Sequence, residues 1–185
     1  MTTLDITTAQ QLDHHVRAVR AAADRTARAL RDMLTSETDS LQILRLMKFS
    51  EIGHHPVDDR SLNIIEQVNQ TFTYLVTLEA ARWILARHPD LGGVRLNLGT
   101  TAGFDLESRT PGLLAAEAFA ATHPGSNDKL RKDIRRLKEK ADGTPHRYVF
   151  FSCPKFAAGR QTQLEGDAGI EVWSLPAANL LKGSA

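Results

Sequence analysis

The 185-residue chain holds one cysteine, Cys153, and few aromatic residues. A single thiol excludes an internal disulfide and a multi-cysteine zinc site, and it points to a reducing, cytoplasmic setting. No run of roughly 18 apolar residues occurs, so no membrane-spanning helix is expected. The opening MTTLDITTAQQ lacks both a basic region and an apolar stretch, which predicts no cleaved export signal. Neither sign of charge dominates. With 23 Lys and Arg against 22 Asp and Glu, binding of nucleic acid by bulk charge is excluded. What is present, 42% hydrophobic and 24% charged residues, suffices for a packed core in a chain of this length.

The charges are unevenly placed. Residues 61–126 carry 4 basic and 6 acidic side chains, whereas residues 127–185 carry 11 and 7. Thr7 or Thr8 is suited to cap a helix reaching about Leu34, with Leu12, Val16, Val19, Ala23, Ala27, Leu30 and Leu34 on one face. That stripe must be buried, either on the chain's own core or against a second copy as a dimer-forming arm. A second helix is expected over Ser40–Phe49. A third runs from Ser61 to about His88, with Ile65, Val68, Phe72, Leu75, Val76, Trp83 and Ala86 on its inner face. Glu79 falls in that face, where an acid either costs stability or has a task.

From Leu91 the period changes from helix to strand. Val94–Leu98 alternates strictly, as does Gly103–Glu107, and Leu113–Ala121 is apolar on both faces except for Glu117. Gly99–Gly103 reads as a turn between strands and does not match a phosphate-binding loop. Asn127–Ala141 is an amphipathic helix with Leu130, Ile134, Leu137 and Ala141 inward and a Lys- and Arg-dense outer face. Arg147–Phe151 and Ile170–Leu175 are further strands. The expected fold is α/β, with residues 1–60 as an N-terminal helical extension and residues 61–185 as the main domain.

Alternation sets Asp105 opposite Phe104 and Leu106, and Glu117 on a face with Ala115 and Phe119. If the two strands pair, the carboxylates converge and repel unless a proton or a cation lies between them. A hard divalent cation such as Mg²⁺ suits such a pair and activates water against a phosphodiester. The same spacing also accommodates a turn-starting Asp105 and an ordinary ion pair at Glu117.

Gly103-Phe104-Asp105-Leu106, then Ala116-Glu117-Ala118-Phe119, then Asn127-Asp128-Lys129-Leu130 followed by a strand, resembles the PD-(D/E)XK nuclease superfamily. The resemblance covers about Ser61–Ser152 and implies a restriction endonuclease-like αβββαβ core with a mixed central sheet. It implies Asp105 and Glu117 as metal-holding catalytic acids, Mg²⁺ (or Mn²⁺) as cofactor, and Glu79 as a further acid from the preceding helix. Two positions depart from the pattern: Phe104 stands in place of proline, and Phe119 stands in place of the triplet lysine. Members lacking that lysine take the basic group from another element, which here points to Lys129, with Lys132 second.

The expected function is therefore a Mg²⁺-dependent DNA endonuclease of restriction or defence type. Arg131, Lys132, Arg135, Arg136 and Lys138 would contact phosphates, and a homodimer would cut both strands. The alternative is an inactive nuclease-fold module that binds nucleic acid or a protein. Neighbouring His54 and His55 point apart and lack a third ligand, so they are read as loop histidines rather than a metal site. Cys153 beside Pro154 is read as a buried cysteine rather than a nucleophile partnered by His146. Phe150, Phe151 and Trp173 are read as core.

Overall fold

A computed structural model describes residues 2–58, 60–99, 102–166 and 169–176. A seven-stranded mixed sheet carries helices on both faces. In chain order its strands are β1 (Thr2–Ile6), β4 (Val94–Leu98), β5 (Leu106–Ser108), β6 (Leu114–Ala120), β7 (His146–Ser152), β8 (Gly159–Arg160) and β9 (Glu171–Ser174). Across the sheet the order is β1-β4-β5-β6-β7-β9-β8. A two-residue ribbon of β2 (Gly53–His54) and β3 (Ser61–Leu62) stands apart.

The helices are α1 (Ala9–Ser36), α2 (Ser40–Phe49), α3 (Ile64–Arg87) and α4 (Lys129–Lys140). Thr8 starts α1 through a capping box: its hydroxyl accepts from Gln11 N–H, and Gln11 Oε1 accepts from Thr8 N–H. Asn63 caps α3, two residues inside from the expected Ser61, because Ser61 and Leu62 pair with β2. Among the described residues no helix is long and apolar enough to cross a membrane.

Strands β4, β5 and β6 form an antiparallel meander. Helix α4 then crosses over to β7, which lies parallel to β6 with Glu117 opposite Val149. Strand β6 is flanked by strands on both sides and alternates between two cores. Leu114, Ala116 and Ala118 pack with α3 and α1, while Ala115 and Phe119 pack with Leu130 and Leu137 of α4. Helices α3 and α4 therefore cover opposite faces, and whatever β6 projects toward α4 is sealed from water. Phe150 and Phe151 are fully buried, one in each core.

Three expectations need correction. Residues 1–60, expected as a helical extension, begin with β1, which pairs along all of β4; Ile6, Leu12 and Val19 lie in the core built on α3. Ile65, Val68 and Phe72 of α3, expected on its inner face, are exposed. The inner residues of that first turn are Ile64 and Gln67, the latter packed close to Gly53 of β2. Strand β5 starts at Leu106, so Asp105 sits in the turn ahead of it. Thr100 and Thr101 of the expected Gly99–Gly103 turn lie outside the described residues.

Candidate active site

Glu117 lies in the middle of β6 and points toward α4, with no solvent exposure. Asp105 is brought to it by backbone pairing that ends one residue early. The β5–β6 ladder pairs Leu106 with Ala116, and beyond it the Ala118 N–H donates to Asp105 Oδ2 at 2.9 Å instead of to a strand carbonyl. Asn97 of β4 holds this turn, its N–H donating to the Asp105 carbonyl and its Nδ2 to the Phe104 carbonyl. The alternation of β6 and the shortness of β5 thus set two carboxylates side by side.

Helix α4 lays a charged stripe over the pair. Lys129, Asp133 and Arg136 are spaced four and three residues apart, on a row beside the buried Leu130 and Leu137. Lys129 Nζ donates to Asp133 Oδ1 at 2.6 Å and stands 5.9 Å from the centre of the Phe119 ring. Arg136 Nη1 lies 2.8 Å from Glu117 Oε1; the guanidinium also donates to the Gly103 carbonyl and covers the Phe104 ring at 5.3 Å. Among the described residues neither Glu117 oxygen nor Asp133 Oδ2, all buried, has a hydrogen-bond donor, and the Arg136 contact is an ion pair.

Three acids thus face two bases, so with all five ionised one negative charge would be left over in a largely buried place. Burial, then the charge of Asp105 and a hydrogen bond shared with it, then Asp133, push the Glu117 carboxyl up to about 9 against the pull of Arg136. Protonated, Glu117 donates to Asp105; ionised, its oxygens have no donor. Burial also raises Asp133, opposed chiefly by Lys129. Burial lowers Lys129, but the hydrogen bond and charge of Asp133, with Asp105 and Glu117 beyond, outweigh it and raise the ammonium above its ordinary range.

The structure places Asp105 beside Glu117, and Lys129 within reach of the charge of both. Glu79 is elsewhere: its Oε2 lies 3.6 Å from Arg82 Nε, and Arg82 in turn donates to Asp13 of α1 at 2.6 Å. The α3 residues that share a cleft of about 260 Å³ with Asp105 are Asn69, Gln70, Thr73, Tyr74 and Thr77. Arg136, expected on phosphate, is turned inward to Glu117. Arg131, Arg135 and Lys138 form an exposed row on α4, and Lys132 Nζ donates to the Asn127 carbonyl at 3.0 Å. Asp133 and the inward role of Arg136 were not foreseen. Their signal lies in the spacing from Lys129, which matches that of the apolar stripe one position on.

The other candidates settle as structural groups. His55 is buried, its Nδ1 accepting from Asp58 N–H at 2.9 Å and its Nε2 bonded to Tyr74 Oη at 3.1 Å, so neither nitrogen is open to a metal. Cys153 is buried, its thiol donating to the Thr122 carbonyl, and lies past the far end of β7 from His146.

Among the described residues no group of three or more His, Cys, Asp or Glu is arranged to hold a metal ion. Two carboxylates completed by water are enough for Mg²⁺. The donor-less oxygens of Glu117 beside Asp105 are of the right chemistry, so the residues present fit such an ion. Comparison with models of protein families, with curated proteins and with solved structures finds no match for this chain.

Proposed function

We propose that this chain is a Mg²⁺-dependent endonuclease that hydrolyses DNA phosphodiesters, a cytoplasmic enzyme of restriction or defence type built on a PD-(D/E)XK-like core. The observation that carries the reading is the position of Lys129. Its ammonium lies over the ring that replaces the triplet lysine, within the field of both Asp105 and Glu117. The element order adds support: a helix, a three-stranded antiparallel meander carrying both acids, a crossover helix and a parallel strand.

Asp105 and Glu117 would hold the metal ion. When bound, it would neutralise charge on the scissile phosphate and lower the pKa of an attacking water. To receive it, Glu117 would have to give up its proton; with Asp105, Glu117 and Asp133 all ionised, the acids would outnumber Lys129 and Arg136 by one and leave negative charge for a dication. Lys129, kept protonated by Asp133, offers its ammonium to a non-bridging phosphate oxygen and helps to orient the water. Arg136 must shift from Glu117 toward the phosphate, which leaves a carboxylate oxygen for the metal. Arg131, Arg135 and Lys138 contact flanking phosphates from the outer face of α4 and fix register without reading bases.

Supercoiled plasmid incubated with Mg²⁺ tests this. Wild type should nick or linearise it, while Asp105→Asn and Lys129→Ala should lose at least 100-fold in rate and still bind DNA in Ca²⁺. Unchanged cleavage by Asp105→Asn would remove the assignment.

One observation favours a second reading. Arg136 sits on the carboxylate that a metal needs, as it would in a metal-free module that binds nucleic acid or a protein without cutting. Wild type that binds DNA equally with and without Mg²⁺, and never cleaves it, would establish that alternative.

A further inference from the structure

Helix α2 is apolar without being buried. Its sequence SLQILRLMKF contains six large apolar side chains, yet none of its residues is buried. Leu41 is 77% exposed, Leu44 61% and Phe49 71%, spaced three and five residues apart on the outward side. The helix lies against α3, which adds Ile65, Val68 and Phe72, each 40% exposed or more, at a spacing of three and four. A ten-residue helix has little stability of its own and depends on packing of its apolar side chains. Leu41, Leu44 and Phe49 of α2 and Ile65, Val68 and Phe72 of the adjoining α3 are thus all large apolar side chains left 40% or more exposed, and apolar exposure grouped in this way marks an interaction site.

Charge around the row indicates the occupant. Glu37 and Asp39 precede α2, and Arg45 and Lys48 lie in its second half. Two copies of α2 packed antiparallel place the acids of each beside the bases of the other and align the helix dipoles favourably. A parallel arrangement would set like charges together. Antiparallel pairing of a segment with itself is what a two-fold axis through the helix produces, so one patch serves both sides.

We propose that the chain forms a two-fold symmetric dimer through α2 and the adjoining turns of α3, with Leu41 and Leu44 of one copy packed on those of the other. The interface is remote from the charged residues of α4 in sequence and uses none of them. Sedimentation of the full chain between 1 and 100 µM provides the test. Wild type should be a dimer, and Leu41→Glu/Leu44→Glu should weaken association at least 100-fold with an unchanged circular dichroism spectrum. Lys48→Glu alone should weaken it about tenfold, and Glu37→Lys/Lys48→Glu should recover most of that loss. Leu44→Cys should cross-link on mild oxidation, whereas Lys138→Cys should not. Wild type that stays monomeric at 100 µM, or a dimer untouched by the Leu41/Leu44 change, would overturn the proposal. So would a monomer that sediments with phosphatidylglycerol vesicles in a Leu41-dependent way, which would assign the face to lipid.

Discussion

Lys129 and Phe119 meet across the space between α4 and β6, with the ammonium 5.9 Å from the ring centre and Asp133 Oδ1 2.6 Å beyond it. The amine thus reaches from the helix to the place a lysine at position 119 would occupy from the strand. If its location matters and its element of origin does not, moving the lysine should be tolerated. Lys129→Ala should cost 10²- to 10⁴-fold in cleavage rate, the range for loss of one acid–base or charge-stabilising group. Phe119→Lys/Lys129→Ala should regain at least tenfold over the single variant. A double variant no better than Lys129→Ala, while still folded, counts against the positional equivalence.

Asp133 is expected to act through Lys129. Its hydrogen bond and charge hold the ammonium up against burial, so in Asp133→Asn burial prevails and the lysine loses its proton at lower pH. The alkaline limb of the rate profile should then move to lower pH with KM for DNA little changed. A uniform loss of rate at every pH would mean that Asp133 only stabilises the fold.

Glu117 makes the metal-free protein sensitive to pH. Its folded pKa, about 9, lies above the ordinary value of 4.5, so between those values the native state binds more protons than the unfolded state. Stability from this group is complete below about pH 4.5 and is lost as pH rises toward 9, by at most ~1.4 kcal/mol per unit. Urea unfolding in EDTA should show lower stability at pH 8.5 than at pH 6, and Glu117→Gln should flatten the slope. On the proposed function Mg²⁺ would bind the ionised form, so the rise in Tm it causes should grow over the same range. A metal effect independent of pH would contradict the proton exchange at Glu117.

On the proposed function the outer row of α4 would act at longer range. Neutralising Arg131, Arg135 and Lys138 together should lower DNA affinity without changing cut-site preference. It should also reduce the salt slope by ~2.7 if each contacts one phosphate. An unchanged slope would place the DNA elsewhere.

Glu79 serves as the contrasting case, since it pairs with Arg82, whose other partner, Asp13, lies on α1. Glu79→Ala should change cleavage less than twofold and cost ~0–1 kcal/mol of stability, as half-exposed ion pairs do. A 100-fold loss of activity would return it to the site.

Much of the site is legible in the sequence because strand periodicity is local. Alternation alone puts Glu117 among Ala115 and Phe119, and the apolar stripe of α4 orients Lys129. Asp133 is hidden for the converse reason: one acid within a basic helix looks solvated until the sheet beneath is known. Glu79 misleads because α3 is apolar over much of its circumference, so its faces are fixed by packing with α1 and the sheet and not by periodicity. The edge strand β1 escapes notice since its five residues carry a weak pattern and its partner begins at Val94. Ile65, Val68 and Phe72 have the spacing of a buried face; what the sequence alone does not reveal is that they stay exposed among the described residues.

The most direct measurement is anomalous diffraction from a crystal soaked in Mn²⁺. The expected result is one strong peak beside Asp105 and Glu117, with Arg136 drawn off Glu117 and Lys129 still beside Phe119. No peak there, with Arg136 still 2.8 Å from Glu117, would contradict a two-carboxylate metal site and the hydrolysis built on it.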